Sequence, residues 1–136
     1  MKRRGVDIVC HEKYGDIDEP CIILCDAINK LTGLETTYSC CGHGKDGFLI
    51  FIRPKNVNDF SKLLYILHKA HRIYSMPLWK VELVVRTEDS PVAFMLYSES
   101  IGEKAYRESK DIVECIEKYL QPIGTDKDFD AKWNTI

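Results

Sequence analysis

The densest run of reactive side chains in this sequence is Ser39-Cys40-Cys41-Gly42-His43-Gly44-Lys45-Asp46-Gly47. Its three glycines permit positive backbone φ and let backbone N–H groups converge on an anion or another ligand. Two thiols, an imidazole and an ammonium group flank them, which is more chemistry than a turn requires. Ser39, Cys40, Gly42, His43, Gly44 and Lys45 are therefore the first candidate ligand contacts. If the protein is an enzyme, Cys41 is the candidate nucleophile and His43 its acid/base partner, since a reactive thiol needs exposure and a neighbour that lowers its pKa. Residues two apart on a strand share a face, so Cys41 and His43 meet if the strand runs on to residue 43, with Cys40 pointing the other way. The plainer alternative is that the glycines only shape the loop, one cysteine packs into the core, and His43 and Lys45 are solvated.

The six cysteines are Cys10, Cys21, Cys25, Cys40, Cys41 and Cys115. With His11 and His43 they supply enough candidates for a zinc site, but no C-x-x-C pair occurs. Cys21 and Cys25 stand four apart on an apolar helical stripe, where cysteine acts as a small buried hydrophobe, and Cys115 lies beside another such face. No metal is assigned and no cofactor is required; zinc stays as a lesser alternative.

Charge is unevenly spread. The chain as a whole carries −2, yet residues 53–86 hold seven Lys/Arg against Asp59 and Glu82, a local +5, while residues 87–136 sum to −5. An anionic partner would be drawn to the middle third. There Lys62, Lys69 and Arg72 fall on one helical stripe with Tyr65 and Ile66 between them, a pattern that suits phosphate and base contacts as well as it suits a solvated face. Arg86 is a further phosphate candidate. His71, near a helix C-terminus, reads as a favourable terminal residue. Glu82, Thr87, Glu88 and Ser90 gather around a predicted hairpin and offer hydrogen bonds or an acid/base group.

The elements that must position these groups follow from spacing. VDIVC at 6–10 alternates loosely as a short edge strand. Asp18-Glu19-Pro20 starts a helix over about 19–32, with Cys21, Leu24, Cys25, Ile28 and Leu31 on its apolar face and Thr32-Gly33 ending it. LETTYSC and FLIFIR are β-rich strands joined by the glycine loop. Asn58 or Asp59 caps a second helix over about 58–72, faced by Phe60, Leu63, Leu64, Leu67 and His71. Trp79 to Arg86 alternates as a strand, Thr87 to Pro91 turns the chain, and VAFMLY at 92–97 returns as its hairpin partner. A third helix covers about 102–120. The order α-β-β-α-β-β-α with short strand connections predicts an α+β fold: a mainly antiparallel four- or five-stranded sheet with about three helices on one face.

At 136 residues, 45% hydrophobic and 29% charged, the chain is expected to be one domain over 1–136, with 121–136 as a weakly packed tail. That length buries roughly two thirds of the unfolded surface, enough for a core without disulfides. Uncharged apolar runs such as Gly47 to Ile52 are far short of a membrane span. Basic Lys2, Arg3 and Arg4 are followed by no signal-peptide core, so the expectation is a cytoplasmic protein with reduced thiols and no membrane partner. A P-loop, a dinucleotide glycine fingerprint, a G-x-S-x-G elbow and an H-E-x-x-H motif are all missing, which disfavours the common nucleotide hydrolases and dehydrogenases.

INKLTGLETTYSCCGHG, the FLIFI strand, and WKVEL with TEDSPVAF together resemble a group of small uncharacterised proteins carried by bacteriophages and prophages. The likeness covers about residues 18–97, and the SCCGHG block is its most specific part. It implies a phage accessory protein in the cytoplasm of an infected or lysogenic host. The same loop is distantly similar to the S-C-S-G-R block of the wybutosine-tRNA methyltransferase family, which implies S-adenosylmethionine as a cofactor. Ser39, Cys40 and Gly42 match that block, whereas Cys41 replaces its serine and His43 its arginine.

The functional expectation is a protein that binds an anionic small molecule or nucleotide at Cys40 to Lys45, with Lys62, Lys69, Arg72 and Arg86 as phosphate partners. In a phage setting the ligand would be a host signalling nucleotide sequestered to blunt defence. The alternatives are a nucleotide- or RNA-modifying enzyme and an inhibitor that binds a host protein. Nucleic acid stays open as a partner, as does a homo-oligomer built through strand edges.

Overall fold

Period-two burial organises the main sheet. In the computed structural model, which describes residues 3–4, 8–11, 15–85, 88 and 93–121, with side chains from Glu19 onward, four strands form an antiparallel sheet. They are β4 (Leu34–Cys40), β5 (Leu49–Pro54), β6 (Lys80–Val84) and β7 (Ala93–Tyr97), in the spatial order β4-β5-β7-β6. Ile50, Ile52 and Leu96 point to one face and are buried with the helices. Leu49, Phe51, Met95 and Tyr97, their odd-numbered neighbours, point to the other face and are half-buried.

Three helices cover the first face: α1 (Ile22–Asn29), α2 (Ser61–Ile73) and α3 (Gly102–Tyr119). α3 packs on both α1 and α2, because Ala105, Ile112, Val113 and Ile116 form its buried stripe. The result is an α+β fold, as the pattern of the sequence predicts.

Several expectations need correction. The leading strand does not edge the main sheet. Ile8–His11 (β2) is instead the middle of a separate three-stranded antiparallel sheet with Arg3–Arg4 (β1) and Gly15–Asp18 (β3). The first helix is shorter than 19–32: Glu19–Cys21 is a 3-10 turn, and α-geometry lasts only to Asn29. Asn29 then turns its side chain to the next strand, donating to Thr36 Oγ1 and accepting the Thr36 N–H. The second helix is preceded by a 3-10 turn, Val57–Phe60, capped by Asn56 rather than by Asn58 or Asp59. Most of the expected tail, and the turn apart from Glu88, lie outside the described residues.

The β4–β5 register carries one irregularity that matters for the site. It shifts between Thr36 and Tyr38, leaving Thr37 as an extra residue. A bulge of this kind reverses the facing of everything beyond it. Thr36 pairs with Ile52 on the helix side, yet after the bulge Ser39 pairs with Ile50 on that side and Cys40 pairs with Leu49 on the open side.

Candidate functional site

β4 ends at Cys40, so the strand does not reach residue 43, and the chain turns through a 3-10 segment at Gly42–Gly44. Gly42 and Gly44 have φ of 79° and 80°, and His43 between them is also left-handed at 53°. For a non-glycine residue this conformation is uncommon and draws attention to a site. The turn closes on itself, because the N–H groups of Lys45 and Asp46 both donate to the Gly42 carbonyl at 3.0 Å. The Gly42 N–H points at Cys40 Sγ at 3.4 Å. These three amides are thus turned into the loop rather than toward an anion.

The adjacent cysteines part company here. Cys41 is 0% exposed and belongs to the core. Its sulfur lies 3.9 Å from His43 Nδ1 and 3.9 Å from the Tyr106 hydroxyl, so a thiol, an imidazole and a phenol meet beneath the loop. Cys40 is half-exposed and lines a cavity of about 370 Å³. Gly42 and His43 share its loop wall, and Leu49, Met95 and Tyr97 form its sheet wall. Asp46 stands at the loop side, while Phe48 and Ser98 complete the base.

That base is rigid. The Phe48 ring is flanked by Trp79 and Tyr106, each with its centroid 5.5 Å away. Its backbone exchanges hydrogen bonds with Ser98: the Phe48 N–H donates to Ser98 Oγ, and the Ser98 N–H donates to the Phe48 carbonyl. On the sheet wall, Tyr97 donates to Glu82 Oε1 at 3.0 Å, and this bond raises the Tyr97 pKa above the ordinary tyrosine value. Lys80, next along the same row, is committed to Glu99, which likewise raises its pKa.

The remaining predicted residues are scattered. Ser39 faces the helices and hydrogen-bonds the Cys25 thiol; burial raises the pKa of that thiol, with Ser39 and Thr36 opposing. Gly44 and Lys45 are exposed and do not line the cavity. Lys62 donates to the Thr32 carbonyl at 2.8 Å, just before β4 begins. The seven residues of β4 place it roughly 20 Å from the loop. Lys69 is buried, with its ammonium 5.4 Å from the Tyr65 ring centroid. Arg72 is exposed near the end of α2 and does not line the cavity, and Arg86 lies outside the described residues.

Among the described residues no group of three or more His, Cys, Asp or Glu is placed to hold a metal ion, and no helix is long and apolar enough to cross a membrane.

Sequence reasoning missed the sheet wall of Leu49, Met95 and Tyr97. The alternation within VAFMLY contained the signal, since Leu96 in the core sends Met95 and Tyr97 to the opposite face. No protein family, curated protein or solved structure matches the chain.

Proposed function

We propose that this chain is a small-ligand-binding protein whose ligand places a flat ring, the base of a nucleoside or nucleotide, in the cavity between the glycine loop and the open sheet face. The lining carries this reading: Leu49, Met95 and Tyr97 offer an apolar and aromatic surface, and His43 and Asp46 offer polar groups to the edge of a ring. At about 370 Å³ the cavity is within the range that holds small molecules. Recognition through a phosphate at the loop has less support, because three loop amides bond internally and Lys62 sits at the far end of β4. The resemblance to phage-borne proteins supports an accessory role in the host cytoplasm, in which holding a signalling nucleotide would blunt defence.

The test is a titration of the full chain with nucleosides, with mono-, di- and cyclic nucleotides, and with ribose phosphate, followed by thermal shift and calorimetry. Base-containing ligands saturate and ribose phosphate does not. Met95→Trp, which fills the cavity, weakens binding at least about tenfold while the circular dichroism spectrum is kept. No saturable response to any base at millimolar concentration overturns the reading.

A second reading, an enzyme that modifies a nucleotide or RNA, rests on His43, which is exposed and lines the cavity, because Cys41, at 0% exposure, lacks the access a nucleophile needs. It predicts turnover that His43→Ala abolishes in a folded protein. A third, inhibition of a host protein, draws on the exposed Tyr38 and Leu83. It predicts a stable macromolecular complex that forms even when the loop is altered.

A further inference from the structure

A second cavity, of about 460 Å³, opens where the end of α2 and the connection to β6 meet α3. Its walls differ in kind from those of the first. Tyr74, Met76 and Pro77 form one side, while the opposite side is a single stripe of α3 in which Lys104 and Arg107 stand three residues apart and so project together. His71 closes the α2 end, its Nδ1 bonded to the Met76 carbonyl, which ties the connection back onto the helix. Ser75, also in the lining, is at φ 53°; it and His43 are the two non-glycine residues in left-handed conformation among the described residues, and each borders a cavity.

In formal charge the lining is balanced, Lys104 and Arg107 against Glu108 and Asp111. Glu108 is 4% exposed and both of its carboxylate oxygens are engaged, one by the Trp79 indole N–H and one by the Ser100 hydroxyl. Asp111 feels the charge of Arg107, one turn before it. Lys104 has no carboxylate partner among the described residues. A ligand with an oxyanion therefore finds Lys104 without an ion pair and meets Arg107 beside the charges of Asp111 and Glu108, and the planar guanidinium suits a two-oxygen contact.

We infer that this second cavity binds a small oxyanion, a phosphate or carboxylate group held between Lys104 and Arg107, with the body of the ligand resting on Tyr74, Met76 and Pro77. The inference stands apart from the ring-binding reading of the first cavity, since no residue lines both. It also gives an anionic ligand a place that the glycine loop does not provide.

The experiment is calorimetric titration of the full chain with inorganic pyrophosphate, and separately with citrate, at low ionic strength. Saturable binding at one site is expected for at least one of the two, and which of them binds separates a phosphate ligand from a carboxylate one. Arg107→Ala and Lys104→Ala each weaken it about tenfold or more. Lys110→Ala is the control, because it removes the same charge from an exposed position of α3 outside the cavity. Asp111→Asn tightens binding several-fold by removing the competitor. Non-saturable heats with both anions, or an equal loss in the Lys110 and Arg107 variants, overturn the inference in favour of general charge attraction. Arg107→Lys keeps the charge without the fork and is expected to fall between wild type and Arg107→Ala, which separates ligand contact from any fault in folding.

Discussion

A Cβ placed on Gly47 would lie 1.8 Å from the carbonyl oxygen of Ser98, so the strand entry and the end of β7 touch at a point where only hydrogen fits. Gly44 differs: its φ is +80°, yet nothing lies within 4 Å of the atom that would be added. Two alanine substitutions three residues apart thus have different costs. Gly44→Ala should lose about 1–2 kcal/mol from the left-handed backbone alone. Gly47→Ala should lose about 3 kcal/mol or more, because β7 must move. Urea unfolding of both variants reads the difference, and equal losses would mean that the contact with Ser98 is not rigid. Both glycines were visible in the sequence, but the backbone each one faces was not. The same holds for Cys40 and Cys41. Their alternation was legible, whereas the bulge at Thr37 that turns Cys40 to the cavity is not announced by LETTYSC, whose residues suit a strand with or without an insertion.

At the scale of elements, α2 and α3 follow from apolar periodicity nearly to their ends, and the ends are where local hydrogen bonding takes over. Asn56 accepts a backbone N–H of the following turn, and Asp59 Oδ2 accepts the Asn56 N–H at 3.1 Å, so the two side chains form a reciprocal cap. Asn58 offers only its carbonyl, to the Ser61 hydroxyl. Asn56→Ala should therefore cost about 1 kcal/mol in chemical unfolding, and Asn58→Ala only a few tenths. The sequence offers Asn58 and Asp59 as caps, and the extra 3-10 turn moves the cap back to Asn56.

α3 carries a cost of its own. Burial, and the charge of Glu114 behind it, raise the Asp111 pKa above the ordinary carboxylate value, with Arg107 opposing. A carboxyl whose folded pKa is raised holds its proton more tightly in the native state. Its contribution is therefore fully present below the unfolded pKa and is lost as pH climbs through the folded one. Asp111→Asn should raise stability at pH 7 by less than about 1 kcal/mol, since the group is largely solvent-screened, and that gain should vanish near pH 3. Thermal midpoints of the two proteins across that range check the sign.

At the scale of the whole molecule, the sheet, the loop and α3 are joined by one polar chain. The Phe48 N–H donates to Ser98 Oγ, the Ser98 hydroxyl donates to the Ser100 carbonyl at 2.9 Å, and the Ser100 hydroxyl donates to Glu108 Oε2 at 2.8 Å. Trp79 donates to the other Glu108 oxygen at 2.9 Å from 29 residues away. Fold class was readable because the strands and helices have local periods, but this chain has none. Each of its members is an ordinary polar or aromatic residue until the sheet pairs β5 with β7 and lays α3 across them. The chain also separates the cavities: Ser98 lines the first and Glu108 the second. Glu108→Ala would leave the buried Trp79 N–H and the half-buried Ser100 hydroxyl without their acceptor, a loss of about 2–3 kcal/mol. Glu108→Gln keeps an oxygen for Trp79 and presents an N–H to the Ser100 oxygen, so it should cost under about 1 kcal/mol. If the carboxylate acts through its hydrogen bonds, the near-ultraviolet circular dichroism of the aromatic cluster changes in the alanine variant and is kept in the glutamine one. Equal damage from both substitutions would show instead that the negative charge beside Lys104 and Arg107 is what the fold requires.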